Sequence, residues 1–327
     1  MNIVHIIGNG FDLNLDLKTS YKDFYDYYIK INSKNEIIEL LKREIKSNSE
    51  NWSDLELALG KFTSKIKTVD EFEVIRRDII LNLSNYLKVI EDSFDFKKVI
   101  IGELLMFLGA PNRKLRNGDK IKFEQEYLSF KNHVTQIDTI SFNYTSILDK
   151  LLIGQTNKQM SIANSLTNHS IIKPVKHIHG YLNERMIIGV NDPSQVLNEF
   201  FVKNIDFNEA FIKTEYNKAA NHLVDNECVD LLNNANIICV FGSSLGLTDK
   251  FWWELICERL LKGNCQLIIY QRNPYIENNL FSNDISKEIR KTKNKFSSFK
   301  SNATREEIEI IKQNIYVNIN SDFFKIV

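Results

Sequence analysis

Short apolar runs, separated by long stretches with apolar residues at helical spacing, dominate the pattern of this chain. The clearest runs cover residues 3–7, 136–142, 236–241 and 266–270, and weaker ones cover 174–178, 186–189 and 316–319. Because the clear runs are nearly continuous instead of alternating, they predict strands that are covered on both faces. The chain is therefore expected to form an α/β fold with a parallel sheet between helical layers.

The interval between the first two clear strands is mostly helical in pattern. Helices are predicted at residues 21–31, 35–46, 54–66, 70–91 and 123–133, with an exposed loop at 110–119. Ser53 and Thr68 lie at or near the predicted caps. This is too much helix for one crossover connection, so we expect residues 15–133 to form a large helical insertion after the first strand.

The sequence changes character after Asn273 and Pro274. It becomes rich in Lys, Asn and Ser through residue 302, which predicts a solvated, partly mobile surface. We therefore expect a single α/β domain over residues 1–327, in which residues 274–327 are a polar C-terminal extension with an edge strand near 316–319.

Composition and charge exclude several classes of protein. Hydrophobic residues fill 43% of the 327 positions, and 42 basic residues balance 42 acidic ones. Neutrality argues against a dedicated nucleic-acid coat. With no signal peptide and no apolar stretch of roughly 18 residues to span a membrane, a cytoplasmic protein is expected. The four cysteines form no C-x-x-C pair and predict buried, reduced thiols instead of a zinc site.

The first strand runs straight into Gly8-Asn9-Gly10-Phe11-Asp12. Closely spaced glycines after a strand let the backbone approach a phosphate without interference from a Cβ atom. The carboxylate of Asp12 suits a ribose hydroxyl or an amide donor. The full G-x-G-x-x-G spacing is absent, so the motif alone is weak and also fits a purely structural turn.

Asn143 follows the second clear strand, in the sequence Ser-Phe-Asn-Tyr-Thr. Open α/β sheets place ligand contacts at the carboxyl ends of their parallel strands. An Asn side chain offers one acceptor and two donors, which can hold a ribose hydroxyl or orient a water molecule. The alternative is an Asx-turn at the start of a helix over residues 146–152.

His177, His179 and Gly180 surround the end of the weaker strand at 174–178. Because histidine titrates near neutrality and the glycine leaves room for a substrate, His179 is a candidate general base. Two residues apart in a strand, the histidines would share a face and could bind a metal. No third ligand at recognisable spacing is visible, so no metal is expected. A structural role is the alternative, above all for His177.

Gly242 begins a G-x-S-x-G match, the nucleophile elbow of α/β-hydrolases, with Ser244 as the nucleophile. That triad places its histidine after the nucleophile, and no histidine follows His222. We therefore favour a Gly/Ser-rich loop at a helix N-terminus, where Ser243 or Ser244 holds a phosphate or ribose. Asp249 then caps the helix or binds a hydroxyl.

In this order, the four motifs resemble the bacteriophage abortive infection AbiH family. The resemblance runs from residue 1 to about residue 270, and the Gly-Asn-Gly-Phe-Asp-Leu start is its most specific part. The sequence Trp-Ser-Asp-Leu-Glu that begins at Trp52 belongs to the same pattern. The resemblance implies an antiphage abortive-infection effector.

The same order is more distantly similar to the SIR2-like NAD-consuming fold, a Rossmann-like parallel sheet. This resemblance implies that Asn143 and His179 are a catalytic pair that hydrolyses NAD, as substrate, at the nicotinamide glycosidic bond without a metal. The cofactor contacts assigned on this basis are Gly8, Asn9, Gly10, Asp12, Gly242, Ser243, Ser244 and Asp249. The cysteine pairs of zinc-bearing sirtuin deacylases are missing, so protein deacylation is not expected.

Two other functions fit the same predicted fold. An effector could act on another nucleotide or on nucleic acid with help from Asp54 and Glu56, although two residues apart on a helix these face different directions. A non-enzymatic nucleotide sensor could respond by assembling into a homo-oligomer through exposed rings at Tyr25, Tyr27 and Tyr28. For these rings, core packing is the alternative. The sequence specifies no phage-derived trigger or partner protein.

Overall fold

The computed structural model describes residues 1–182, 184–276 and 282–320. Its strands are β1 (Asn2–Ile7), β2 (Val134–Ser141), β3 (Gln159–Met160), β4 (His169–Ile172), β5 (Lys176–His177), β6 (Ile237–Phe241), β7 (Gln266–Gln271) and β8 (Ile315–Ile319). They form one sheet in the order β3-β4-β2-β1-β6-β7-β8, with β5 paired to the end of β2. All pairings are parallel except that of β3 with β4. The mixed α/β fold with a mostly parallel central sheet is thus confirmed.

The helices surround this sheet and also extend away from it. They are α1 (Gly10–Asn14), α2 (Tyr21–Tyr28), α3 (Glu36–Ser47), α4 (Leu55–Phe62), α5 (Val69–Asp92), α6 (Ile101–Gly109), α7 (Asn117–Glu126), α8 (Ile147–Leu151), α9 (Glu199–Val202), α10 (Ile205–Phe211), α11 (Lys213–Ala219), α12 (Val224–Asn233), α13 (Lys250–Leu261), α14 (Ser282–Ser297) and α15 (Arg305–Gln313). Within the described residues, no helix has the length and apolar character that crossing a membrane requires.

Helices cover both faces of the sheet, as the continuous apolar runs predict. On one face, Ile3 and Ile7 pack with Phe107 of α6 and Phe123 of α7. On the other face, side chains of β1 and β6 pack with α12, α13, α14 and α15, around the fully buried Trp253. Parallel strands buried on both faces need this double cover, which explains their lack of polar alternation.

A third apolar core lies within the helical layer. It joins α2, α3, α4 and α5 to α9 and α10, and rings such as Phe72, Phe207 and Phe211 pack at its centre. The helices between β1 and β2 therefore serve two cores, because α6 and α7 cover the sheet itself. The sequence pattern gave no sign that α9 and α10 would complete the separate core.

Several predicted elements are confirmed with small shifts in their ends. The strong strands, the edge strand β8 and the helices α2, α3, α4 and α5 lie where the pattern places them. Thr68 is the N-cap of α5 in a full capping box. The cap of α4 is Asp54, one residue after the predicted Ser53. The four cysteines are buried and reduced.

Other predictions were wrong for identifiable reasons. Residues 110–119 are not an exposed loop, because Ala110 and Leu115 are buried and Pro111 accepts a hydrogen bond from the Tyr270 hydroxyl at 2.9 Å. Residues 186–189 are not a strand but a buried loop, so burial alone explains their apolar character. The helix predicted at 123–133 begins earlier, at Asn117, and ends at Glu126.

The polar segment after Pro274 is more ordered than predicted wherever the structure describes it. Residues 282–320 form α14, α15 and β8, and β8 pairs in parallel with β7 in the main sheet. Phe296 and Phe299 are buried against Trp253. The average composition hid these few apolar positions, of which Phe296 lies near the end of α14 and Phe299 just after it. Residues 277–281 and 321–327 of the predicted extension lie outside the described residues.

Candidate functional site

A cavity of about 1060 Å³ opens at the carboxyl ends of the central strands. From β1 the chain crosses to β2 on one side, and it later returns to β6 on the other side, so the crevice beside β1 is a topological switch point where open α/β sheets bind ligands. The predicted site residues that line this cavity are Gly8, Asn9, Gly10, Asp12, Asn143, His179, Gly242, Ser243, Ser244 and Asp249. The structure therefore brings the four predicted loops together.

The glycines of the first and last loops interlock at the floor of the crevice. A Cβ atom on Gly10 would lie 2.4 Å from the Cα atom of Gly242, and Gly242 itself has a φ of +72°. The amide of Gly8 donates to the Phe241 carbonyl at 2.8 Å, and that of Gly10 donates to the Gly242 carbonyl at 2.8 Å. These glycines permit close loop packing, and their two amides are already engaged within the protein.

Asp12 lies deep in the cavity wall at the centre of a polar cluster. Its carboxylate accepts a hydrogen bond from Asn143 Nδ2 at 3.1 Å and another from Thr145 Oγ1 at 2.7 Å. Burial raises the pKa of Asp12 to about 7, although both hydrogen bonds oppose the rise. The buried Oδ1 atom of Asn143 accepts no hydrogen bond from a described residue, so its capacity as an acceptor is unused within the part of the chain that the structure describes.

His179 shares the cavity wall with Asp249. Its Nε2 atom lies 3.3 Å from Asp249 Oδ1, an ion-pair distance without hydrogen-bond geometry. Burial would raise the pKa of Asp249, but Lys213 and His179 outweigh burial and hold this pKa well below its usual range. Asp249 also precedes α13 without capping it through its side chain. Its carboxylate is therefore available to orient the imidazole.

Lys213 links Asp249 to Glu56 and is the site component that the sequence analysis missed. Its Nζ atom lies 2.9 Å from Glu56 Oε2 and 3.1 Å from Asp249 Oδ1, and Lys213 is only 4% exposed. Burial lowers the pKa of Lys213, but the two carboxylates reverse this effect and raise it. Burial also raises the pKa of Glu56, which Lys213 opposes. A lysine at the first turn of a helix gives no local signal of such a role.

The two histidines face different partners, contrary to the shared face expected of a strand pair. β5 ends at His177, whose Nε2 atom lies 2.8 Å from Asp149 Oδ2, and His177 does not line the large cavity. Gly180 turns the chain with a φ of +69°. Within the described residues, no group of three or more His, Cys, Asp or Glu side chains is arranged to hold a metal ion.

Asp54 and Glu56 both line the cavity although they are two residues apart. Asp54 is the N-cap of α4 and thus not on the helix, so the helical-spacing argument does not apply to it. Its carboxylate accepts from Thr248 Oγ1 at 3.3 Å, whereas Glu56 contacts Lys213. The rings proposed as an assembly surface are mostly internal, because Tyr25 and Tyr28 are buried and Tyr27 is 38% exposed.

The Ser243–Ser244 loop lacks the strained serine of a nucleophile elbow. Leu245, and not Ser244, has the positive φ of 53°. Ser243 Oγ accepts a hydrogen bond from the Leu245 amide at 3.1 Å, which fixes the turn. Ser244 is exposed at the cavity. The loop therefore presents a hydroxyl to the cavity without the geometry of an activated nucleophile.

Comparison with known proteins identifies the family of this chain. A comparison with curated proteins finds no match for the chain. The model of the bacteriophage abortive infection AbiH family matches residues 4–271, which include the cavity-lining residues except those of the loop after β7 (272–276) and those at the end of β8 and just after it. The chain therefore belongs to the bacteriophage abortive infection AbiH family, which indicates a role in abortive phage infection.

Proposed function

We propose that the protein is an abortive-infection effector that hydrolyses NAD at the nicotinamide glycosidic bond in a SIR2-like, Rossmann-like site. The observation that carries the proposal is that Asn143 and His179 line one cavity at the switch point of the sheet. Ligand pockets commonly span about 300–1,000 Å³, so a cavity of about 1060 Å³ suits a ligand as large as a dinucleotide. Loss of NAD would halt an infected cell.

The acidic cavity wall suits the charge that develops in this reaction. When the bond from ribose C1′ to the nicotinamide nitrogen breaks, its electron pair moves to the pyridinium nitrogen and neutral nicotinamide leaves. Positive charge then develops on the ribose as an oxocarbenium-like centre. Fixed carboxylates in a site shielded from bulk water stabilise such charge strongly, and Asp249 is held ionised beside Lys213.

Asn143 and His179 supply positioning and proton transfer in this proposal. Asp12 fixes the amide of Asn143 through Nδ2, which leaves Oδ1 to accept from a ribose hydroxyl or the attacking water. The water oxygen bonds to C1′, and His179 accepts the proton that the water loses. Asp249 lies 3.3 Å from Nε2 and would stabilise the imidazolium that results. The products are nicotinamide, ADP-ribose and a proton.

The direct test is nicotinamide release from NAD by the purified protein, with and without EDTA. We expect release that survives EDTA and falls by at least about 100-fold in His179→Ala, as for loss of a general base. Asn143→Ala is expected to lose release as well. His222→Ala is the matched control, because His222 is exposed and does not line the cavity.

Thermal unfolding of each variant separates lost chemistry from lost folding, since Asn143 and His179 are both buried. Full release by a folded His179→Ala protein would contradict the proposed base. Release that requires a divalent metal would contradict the metal-free mechanism and favour the effector that acts on another nucleotide or on nucleic acid. Tight nucleotide binding with no turnover would favour the non-enzymatic sensor.

A further inference from the structure

The cavity continues beyond the residues that the proposed reaction uses. It passes from the loops after β1, β2 and β6 to the carboxyl ends of β7 and β8. The residues that line this extension are Tyr270, Gln271, Arg272, Asn273, Pro274, Ile276, Asn318 and Asn320. Asn320 joins the two loops, because its Oδ1 atom accepts from the Asn273 amide at 2.7 Å and its Nδ2 atom donates to the Asn273 carbonyl at 2.9 Å. Hydrogen bonds between the two loops therefore hold this part of the cavity wall together.

Charge is distributed unevenly along this cavity. The acidic lining residues are Asp12, Asp16, Asp54, Glu56 and Asp249. Among the described lining residues, Arg272 is the only arginine or lysine. Arg272 directly follows β7, is exposed to solvent, and forms no ion pair with a residue that the structure describes. Its guanidinium is thus a single cation at the edge of an otherwise acidic cavity.

The usual phosphate-binding groups of such a fold are occupied in this chain. The amides of Gly8 and Gly10 donate to Phe241 and Gly242, and α1 has only five residues. A phosphate-bearing ligand would therefore meet repulsive carboxylates without a compensating glycine loop. A guanidinium matches the geometry of phosphate oxygens with paired donors and keeps its charge at all physiological pH values.

We propose that Arg272 binds the phosphate groups of a dinucleotide and thereby sets its direction in the cavity. The anionic phosphates lie towards the end of β7, and the cationic nicotinamide end lies towards the carboxylates near Asn143 and His179. The identity of that second end rests on the proposed function. The ligand class is a nucleotide with a pyrophosphate, and a nucleoside without phosphate lacks the contact with Arg272.

The test measures the affinity of the full chain for two probes by isothermal titration calorimetry. ADP-ribose carries the pyrophosphate, and nicotinamide riboside carries none. In Arg272→Ala we expect about tenfold weaker binding of ADP-ribose, because the substitution removes a hydrogen bond between charged groups. Binding of nicotinamide riboside should be unchanged. The affinity of Arg272→Lys for ADP-ribose should be intermediate, because lysine keeps the positive charge but lacks the paired donors of the guanidinium.

Arg290→Ala is the matched control, because Arg290 is an exposed arginine on α14 that does not line the cavity. Added salt should weaken ADP-ribose binding to the unaltered protein more than to Arg272→Ala, since screening acts on the charge contact. Equal losses for both probes, equal losses in Arg290→Ala, or failure of the unaltered protein to bind ADP-ribose would overturn the proposal.

ADP-ribose has no nicotinamide bond, so its binding separates this inference from the proposed reaction. Intact NAD together with Arg272-dependent binding of ADP-ribose would support the phosphate contact and contradict NAD hydrolysis. NAD hydrolysis together with Arg272-independent binding of ADP-ribose would overturn the phosphate contact alone.

Discussion

Asp12 is buried and its carboxylate accepts two hydrogen bonds, and the balance between these two effects decides its charge. The bonds from Asn143 and Thr145 favour the carboxylate, whereas removal from water favours the carboxylic acid. The result is a pKa raised from the ordinary value of 3.8 to about 7. Asp12 therefore changes charge in the physiological range, in direct contact with the proposed catalytic Asn143.

Replacing Asp12 by Asn should alter how stability depends on pH. Between about pH 4 and pH 7, the folded protein keeps a proton on Asp12 that the unfolded chain has lost, so the unaltered protein loses stability as pH rises through this window. The loss is at most about 4 kcal/mol, from about three pKa units at 1.36 kcal/mol each. Asp12→Asn carries no such proton, and its curve should be flatter.

Urea unfolding at intervals from pH 4 to pH 8 measures this difference. Asparagine has nearly the same shape as aspartate, and Thr145 can accept as well as donate through its hydroxyl, so the variant should fold. Curves for the two proteins that run parallel across the whole range would show that Asp12 does not titrate in this window.

Among single residues, sequence analysis identified the site side chains that follow strands but missed Lys213, which does not follow one. Asn143, His179 and Asp249 could be predicted because each lies in a loop after a predicted strand, where open α/β sheets place their ligand contacts. Lys213 begins α11, and its partners Glu56 and Asp249 are 157 and 36 residues away in sequence. No local pattern encodes such a long-range ion pair.

The loops after β1 and β6 act as one element because their glycines touch. A Cβ atom on Gly242 would lie 2.6 Å from the Phe11 amide nitrogen, and a Cβ atom on Gly8 would lie 2.7 Å from the Gly242 carbonyl oxygen. Both contacts are with backbone, which cannot rotate away as a side chain can. The close approach holds the two halves of the switch-point crevice at fixed spacing.

Gly242→Ala should therefore disrupt the floor of the cavity. The positive φ alone costs an alanine about 1–2 kcal/mol, and the clash with Phe11 adds to it, so we expect the free energy of unfolding to fall by at least about 2 kcal/mol. Ligand affinity should fall in the fraction that remains folded. Urea unfolding and calorimetry with ADP-ribose measure the two effects.

Thr68→Ala is the control, because it also lowers stability but lies at the N-terminus of α5, outside the cavity lining. It removes the capping box of α5 and should lower the free energy of unfolding by about 1 kcal/mol. Because Thr68 does not line the cavity, ligand affinity should stay unchanged. Equal effects of the two substitutions on affinity would contradict a specific role for the glycine contact.

Elements with a strong local pattern were predicted best. Five-residue apolar runs such as Ile237–Phe241 and the capping box at Thr68 each carry their own signal. The short strands Gln159–Met160 and His169–Ile172 were missed, because pairing with β2 and with each other defines them more than their composition does. The α14 helix was missed because, among its described side chains, exposed polar positions outnumber the buried ones.

At the scale of the whole molecule, the helical core and the sheet meet at buried charges. Glu56 lies on α4, Lys213 begins α11, and Asp249 precedes α13, which packs on the sheet. The ion pairs at 2.9 Å and 3.1 Å therefore connect two separate apolar cores across the cavity. Movement of the helical layer would shift Lys213 and with it the carboxylate that faces His179.

Lys213→Met tests this connection through stability and pH together. Methionine fills a similar volume but leaves two buried carboxylates without a cation, which should lower the free energy of unfolding by about 3–5 kcal/mol at pH 8. In the unaltered protein, the lowered pKa of Asp249 adds stability at pH values above its ordinary 3.8. The variant loses that contribution, so its deficit should be largest at high pH and shrink towards pH 5 as the carboxylates bind protons.

The double variant Glu56→Gln/Lys213→Met decides whether the charges act as a unit. Removing Glu56 together with Lys213 leaves only Asp249 uncompensated, so the double variant should be more stable at pH 8 than Lys213→Met alone. Residues that share one network show such non-additive effects, whereas independent sites add. Urea unfolding of the unaltered protein, both single variants and the double variant gives the coupling free energy. Additive losses would mean that Lys213 does not couple the helical core to the site through Glu56.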